Sequence, residues 1–269
     1  MRPPSRDWLI RNGARFGYAA RGGVYLLVGA FALAAAVKLR HAPEGVAGAI
    51  AAMARSPLGH LGVWLLTAGL AVFAAWRFVQ AVFDADGAGT SRRGVVHRLG
   101  KAFSGCAHAA LAWVAARAPW GLVKPEEVQA RDGAAAVLAL PLGEVLLAGA
   151  AGAILVIAAG NGLKAWRHDF GWDLDCTAAF CRWARGVARV GYAARGAVFA
   201  VIAVLLFLAA LHRRADEARG LGGSLQALGS APLGSWLVAG CGAGFVAFGL
   251  FGLIQARFRR MPAPRGLTK

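Results

Sequence analysis

Two arginines stand inside stretches otherwise apolar enough to cross a bilayer. Arg21 and Arg195 hold the same place in a motif, GYAARG, that occurs at 17–22 and again at 191–196. An ionisable group inside a span is costly and is a functional candidate by default. A guanidinium there can hold a carboxylate or a phosphate bidentately. Tyr18 and Tyr192 lie three residues earlier, on the same helical face, and can complete a polar cluster. The competing reading has the arginine stems snorkelling to cytoplasmic headgroups and the tyrosines anchored at the membrane interface. A weaker middle copy of the motif puts Ser104 at the arginine position. Arg21, Arg195, Tyr18, Tyr192, Ser104 and His108 are therefore the candidate ligand or lipid-headgroup residues.

His108 falls in the middle of an apolar run, where the other copies carry Tyr25 and Phe199. It suits a haem ligand, a proton relay or a packed, hydrogen-bonded histidine. A haem held by two histidines needs a second at the same depth, and His41, His60, His97, His168 and His212 lie near span ends or in loops. Glu144 opens an apolar run, where the positive end of a helix favours it. Arg77 aligns with Asn161 and Gly252 and is read as snorkelling. Cys176 and Cys181 lack the C-x-x-C spacing, so neither a metal site nor a disulfide framework is expected. No cofactor is implied. No Walker loop, Rossmann fingerprint, H-E-x-x-H or nucleophile elbow occurs, which disfavours hydrolytic and nucleotide-driven chemistry.

The elements that must position these residues follow from composition. Of 269 residues, 58% are hydrophobic before 37 glycines are added, and 16% are charged. Mean hydropathy is +0.54. Soluble domains reach about 45–50% apolar with glycine included. An integral membrane protein fits, whereas disorder, collagen, coiled coil and disulfide scaffolds do not. The net charge of +17 would suggest nucleic acid for a soluble chain. Here the basic residues flank apolar runs, where they set topology and meet anionic lipid headgroups; no nucleic-acid partner is expected. The basic, then apolar N-terminus lacks a small-x-small cleavage site and reads as a first span.

RFGYAARGGVYLLVGAFAL from Arg15 recurs as RVGYAARGAVFAVIAVLLF from Arg189, and in degraded form as RLGKAFSGCAHAALAWVAA from Arg98. Each is followed by a second apolar run opened by Pro-Leu-Gly, at Pro57, Pro141 and Pro232, where proline suits a helix's first turn. The fold is read as all-α: a polytopic membrane protein of six transmembrane helices, built as three repeats of a two-helix unit. The spans are about 15–37, 58–83, 97–117, 141–166, 190–212 and 232–257, within one transmembrane domain over 1–269. The repeats cover about 8–86, 92–168 and 182–260, and short interfacial helices, such as those from Gly45 and Gly222, lie between pair members. Gly240 with Gly244, and Ala148 with Gly152, give small-x-x-x-small spacing for close helix packing, within the chain or in a homo-oligomer. Lys and Arg divide 21 to 9 between the two sides of these spans, which predicts cytoplasmic N- and C-termini.

The doubled GYAARG and the Pro-Leu-Gly that opens each partner helix resemble the bacterial integral-membrane family called domain of unknown function 1206. That resemblance implies three tandem two-helix units in a bacterial inner membrane, and nothing catalytic. Mitochondrial carriers are similar in plan, but their Pro-x-acid-x-x-base signature is missing here. Three readings of function follow. The first is a structural, accessory or lipid- or partner-binding membrane protein. The second is a small-solute or ion transporter with a pseudo-threefold site at Arg21, Arg195 and Ser104. The third is a haem or redox protein resting on His108.

Overall fold

The computed structural model describes residues 6–38, 43–167, 170 and 174–260, with side chains from residue 12. His41 and His168 lie outside the described residues. The chain is all-α, in the order α1 (Arg6–Ala36), α2 (Val46–Met53), α3 (Pro57–Val82), α4 (Arg92–Arg117), α5 (Glu126–Leu138), α6 (Gly143–Arg167), α7 (Ala178–Leu211), α8 (Leu221–Gly229) and α9 (Gly234–Phe258). The short helices α2, α5 and α8 each lie between two long ones, whereas α3 and α4, and α6 and α7, follow one another directly. α1 and α7 begin well before the expected spans, which counted only the apolar part of each helix.

Five helices are long and apolar enough to cross a membrane: Asn12–Ala36, Pro57–Val82, Gly143–Arg167, Ala178–Leu211 and Gly234–Phe258. α4, expected as the third span, matches them in length but not in composition. Arg92, Arg93, His97, Arg98 and Lys101 crowd its opening turns.

Local chemistry sets the helix starts. Ser56 and Ser91 cap α3 and α4, accepting from Gly59 N at 3.0 Å and Gly94 N at 3.2 Å. Pro57 sits in the first turn of α3 as predicted. Pro141 and Pro232 do not, because Leu140 and Ala231 stand where Ser56 caps α3. There the chain turns through Leu142 (φ 58°) and Leu233 (φ 60°) before the helix begins. The glycine of each Pro-Leu-Gly is obligatory for one reason. A Cβ on Gly59, Gly143 or Gly234 would collide with the carbonyl of Met53, Val137 or Gly229, at the end of the preceding short helix.

Glycines also close the contact between α1 and α9. A Cβ on Gly22 would lie 2.8 Å from Gly249 O, one on Gly249 2.8 Å from Gly22 O, and one on Gly29 2.8 Å from Gly242 O. Their absence lets the two backbones touch, which is how apolar helices gain packing energy inside lipid. The long helices pack in sequence as α4, α3, α1, α9, α7, α6, and the two ends of this series, α4 and α6, barely meet.

α2, α5 and α8 meet one another on the side away from the chain termini. Glu126, at the start of α5, joins them. Its carboxylate accepts from Leu221 N, which opens α8, and fills the space beside Gly45 at the start of α2. Burial pushes the Glu126 carboxyl above the usual carboxylate range, against the pull of the Leu221 N–H. A further departure from the sequence reading is a disulfide between Cys176 and Cys181, with Cα atoms 5.8 Å apart, just before and within the first turn of α7. The five-residue spacing lets the helix start fold its second cysteine back over the first.

Candidate functional site

Arg21 is turned into the bundle. It is 6% exposed, and its Nη2 donates to Gln255 Oε1 of α9 at 2.7 Å. Its guanidinium lies over the rings of Tyr18, Phe73 and Phe248, at 5.2, 5.2 and 5.1 Å from their centroids. Tyr18, fully buried, meets Phe73 edge-on at 5.1 Å, so its ring is packed inside the bundle.

Arg77 does not snorkel. It is 8% exposed, stands 4.6 Å from the Phe73 centroid and 5.8 Å from that of Tyr18, and its Nη1 donates to Gln80 Oε1 at 2.9 Å. Gln80 Nε2 then donates to both oxygens of Asp86, at 2.9 and 3.0 Å. Lys101 Nζ of α4 reaches Asp86 Oδ2 at 2.7 Å. This relay holds Arg77 inward, which the sequence alone gave no reason to expect. Burial pushes the Asp86 carboxyl up, but the Lys101 ammonium and hydrogen bonds from Lys101 and Gln80 together hold it below the usual range. Arg259, beyond the end of α9, adds its charge 5.1 Å from the centroid of the Tyr18 ring.

Arg195 is half-buried. Its guanidinium lies 4.8 Å from the Phe199 centroid, 5.7 Å from Tyr25 and 5.2 Å from Phe248. Phe248 therefore has both repeated arginines within about 5 Å of its ring. Tyr192 meets Phe248 at 5.1 Å and stacks on Phe170 at 5.0 Å, with Lys164 Nζ 5.8 Å from its ring. Ser104 is half-buried on α4, between Lys101 and His108 on one helical face. His108 Nδ1 bonds Ser104 O at 2.7 Å and its ring meets Phe73 at 4.7 Å, a packed arrangement. Among the described residues no three His, Cys, Asp or Glu side chains group as a metal site. Glu144 lies outside the cluster and accepts from Arg213 Nη2 at 2.6 Å.

Of the small residues singled out, Gly244 packs against Ala194 of α7, and Ala148 borders the cluster of Leu147, Ala209 and Ala210. Gly240 and Gly152 face open space.

The cluster brings together Arg21, Tyr18, Arg195 and Tyr192, and adds Arg77, which the sequence reads as snorkelling, and Gln80, Asp86, Lys101 and Gln255, which sequence reasoning passed over. One signal was available. Gln80, Lys164 and Gln255 each lie 23 residues after the proline of their Pro-Leu-Gly, a repeated polar position in apolar helices. The cationic Nε atoms of Arg21, Arg77 and Arg195 and the hydroxyl of Tyr18 are buried with no hydrogen-bond partner among the described residues. Such an arrangement can bind an anion; guanidiniums keep their charge at any physiological pH and do not shuttle protons.

The family model described as Domain of Unknown Function (DUF1206) matches residues 16–84 and 190–259. These stretches hold Tyr18, Arg21, Phe73, Arg77 and Gln80, and then Tyr192, Arg195, Phe248 and Gln255. The chain is also similar to "Uncharacterized protein YxxB" of Bacillus subtilis (strain 168), at 28% identity over 265 residues that cover 97% of this chain and 95% of that protein. No solved structure matches. Two matched stretches, covering both copies of GYAARG and both buried arginine–glutamine pairs, place the chain in the domain of unknown function 1206 family.

Proposed function

We propose that this chain is a multi-pass protein of the bacterial inner membrane, with both termini cytoplasmic, whose buried arginines hold one anionic group, a phosphate or a carboxylate. α4 is the third of its six spans, and the three segments that share Pro-Leu-Gly belong to three copies of one two-helix unit. The same glycine collision at Gly59, Gly143 and Gly234 supports that reading. The 21 to 9 division of Lys and Arg supports the orientation.

One observation carries the function. Arg21 and Arg77 are both more than nine-tenths buried with an unpartnered Nε each, and Asp86 is the carboxylate bonded into their cluster among the described residues. A buried charge is costly unless paired, so this excess of cations calls for an anion. A transport site would be expected near the bilayer midplane. Arg77 lies five residues from the end of α3, or about 7.5 Å along the axis, which favours binding at one face.

Native mass spectrometry of the chain released from lipid nanodiscs tests the proposal. An anionic adduct should be retained and fall about tenfold or more in Arg21→Met and in Arg77→Met. A chain with no anionic adduct, or adducts indifferent to both substitutions, overturns it.

A further inference from the structure

We infer that the anion is the headgroup phosphate of a cytoplasmic-leaflet phospholipid, which reaches the arginines sideways through the opening between α4 and α6. The inference rests on the buried anion site proposed above and names its ligand and its route.

The packing series, in which α4 and α6 are the two end members among the described residues, supplies the route. α4 and α6 each pack on a neighbour, α3 and α7, but hardly on each other. On the side away from the termini, α2, α5 and α8 meet one another around Glu126, which leaves the side between α4 and α6 as the proposed approach. The opening is cationic at the end nearest the arginines. Lys101 stands on α4 and Lys164 in the last turn of α6, Lys164 exposed and 5.8 Å from the Tyr192 ring. Further along, both helices present apolar surface, with Phe103 and Trp113 on α4 and Leu155 and Val156 on α6 exposed. Charge at one end and hydrocarbon along the rest match one phospholipid molecule, phosphate inward and acyl chains in the bilayer.

Depth agrees. Arg77 and Gln255 lie within about two turns of the ends of α3 and α9. That is the level of headgroups, in a bilayer whose hydrocarbon core spans about 30 Å. A soluble anion would have no use for a lipid-facing opening.

The full chain would be placed in nanodiscs of phosphatidylethanolamine alone, or with phosphatidylglycerol added, and in a third arm inorganic phosphate would be added to phosphatidylethanolamine discs. We expect one phosphatidylglycerol retained per chain on release. Ser104→Trp, which fills the face of α4 toward the cluster, should slow exchange of that lipid about tenfold or more, whereas Ser104→Ala should not. Should Ser104→Trp fail to fold, Lys164→Glu, at an exposed position, should slow phosphatidylglycerol entry by a similar factor. Protection by inorganic phosphate without preference for phosphatidylglycerol overturns the lipid assignment and leaves the anion site standing. Binding of neither overturns both. Phosphatidylglycerol retained with exchange unaffected by Ser104→Trp or Lys164→Glu overturns the route.

Discussion

Arg21 Nη2 and Gln255 Oε1, 2.7 Å apart, tie the first long helix to the last. The bond is fully buried, and it leaves Arg21 Nε free to face whatever occupies the cluster. Gln255→Leu should lower stability by about 1–3 kcal/mol, the cost of stripping a hydrogen bond from a buried charge. Paired with Arg21→Met in a double-mutant cycle followed by thermal unfolding in detergent, the two sites should couple by more than about 0.5 kcal/mol. Additive effects would mean that the bond contributes nothing.

The α1–α9 contact depends on missing side chains. Gly249→Ala and Gly22→Ala each bring a methyl within 2.8 Å of a carbonyl of the opposite helix, and should each cost about 1–3 kcal/mol. Gly160→Ala, facing open space, is the control and should be neutral or stabilise by up to about 1 kcal/mol. Equal effects at all three positions would discount the close approach.

Asp86 holds Lys101 and, through Gln80, Arg77. Asp86→Asn should destabilise the chain by about 2 kcal/mol at neutral pH. Because the folded carboxyl lies below its ordinary value of 3.8, its contribution is complete above that value and lost as pH falls through the lower folded one. Melting curves of the two proteins should therefore converge only in strong acid. A constant gap down to that range would argue against the ion pair.

Glu126 behaves oppositely. Its folded carboxyl holds a proton more tightly than the ordinary 4.5, so its contribution to stability declines as pH rises from 4.5 through the raised value. Glu126→Gln should flatten that decline above pH 4.5. An unchanged slope in melting temperature would show that Glu126 does not titrate there.

Much of this was legible in the residues. The doubled GYAARG located Arg21 and Arg195, and Pro-Leu-Gly located the starts of α3, α6 and α9 to within two residues. Periodicity could not show that Arg77 points inward, because the cause lies in Gln80, Asp86 and Lys101, brought together from two helices and a loop. Nor could it foresee the left-handed turn at Leu142 and Leu233, which replaces a serine cap, or Glu126 serving helices far from it in sequence. In each case the deciding contact is long-range or depends on one side chain that a degenerate repeat does not keep.

The glycine seam between α1 and α9 has a consequence for how the protein is made. Its halves, α1 and α9, are made before and after the other described helices, so a nascent chain carries Arg21 through synthesis of those helices without Gln255 to receive it. Assembly of the bundle must therefore wait for the final span. A chain cut short before α9 would leave Arg21 without its acceptor and the glycine face of α1 bare.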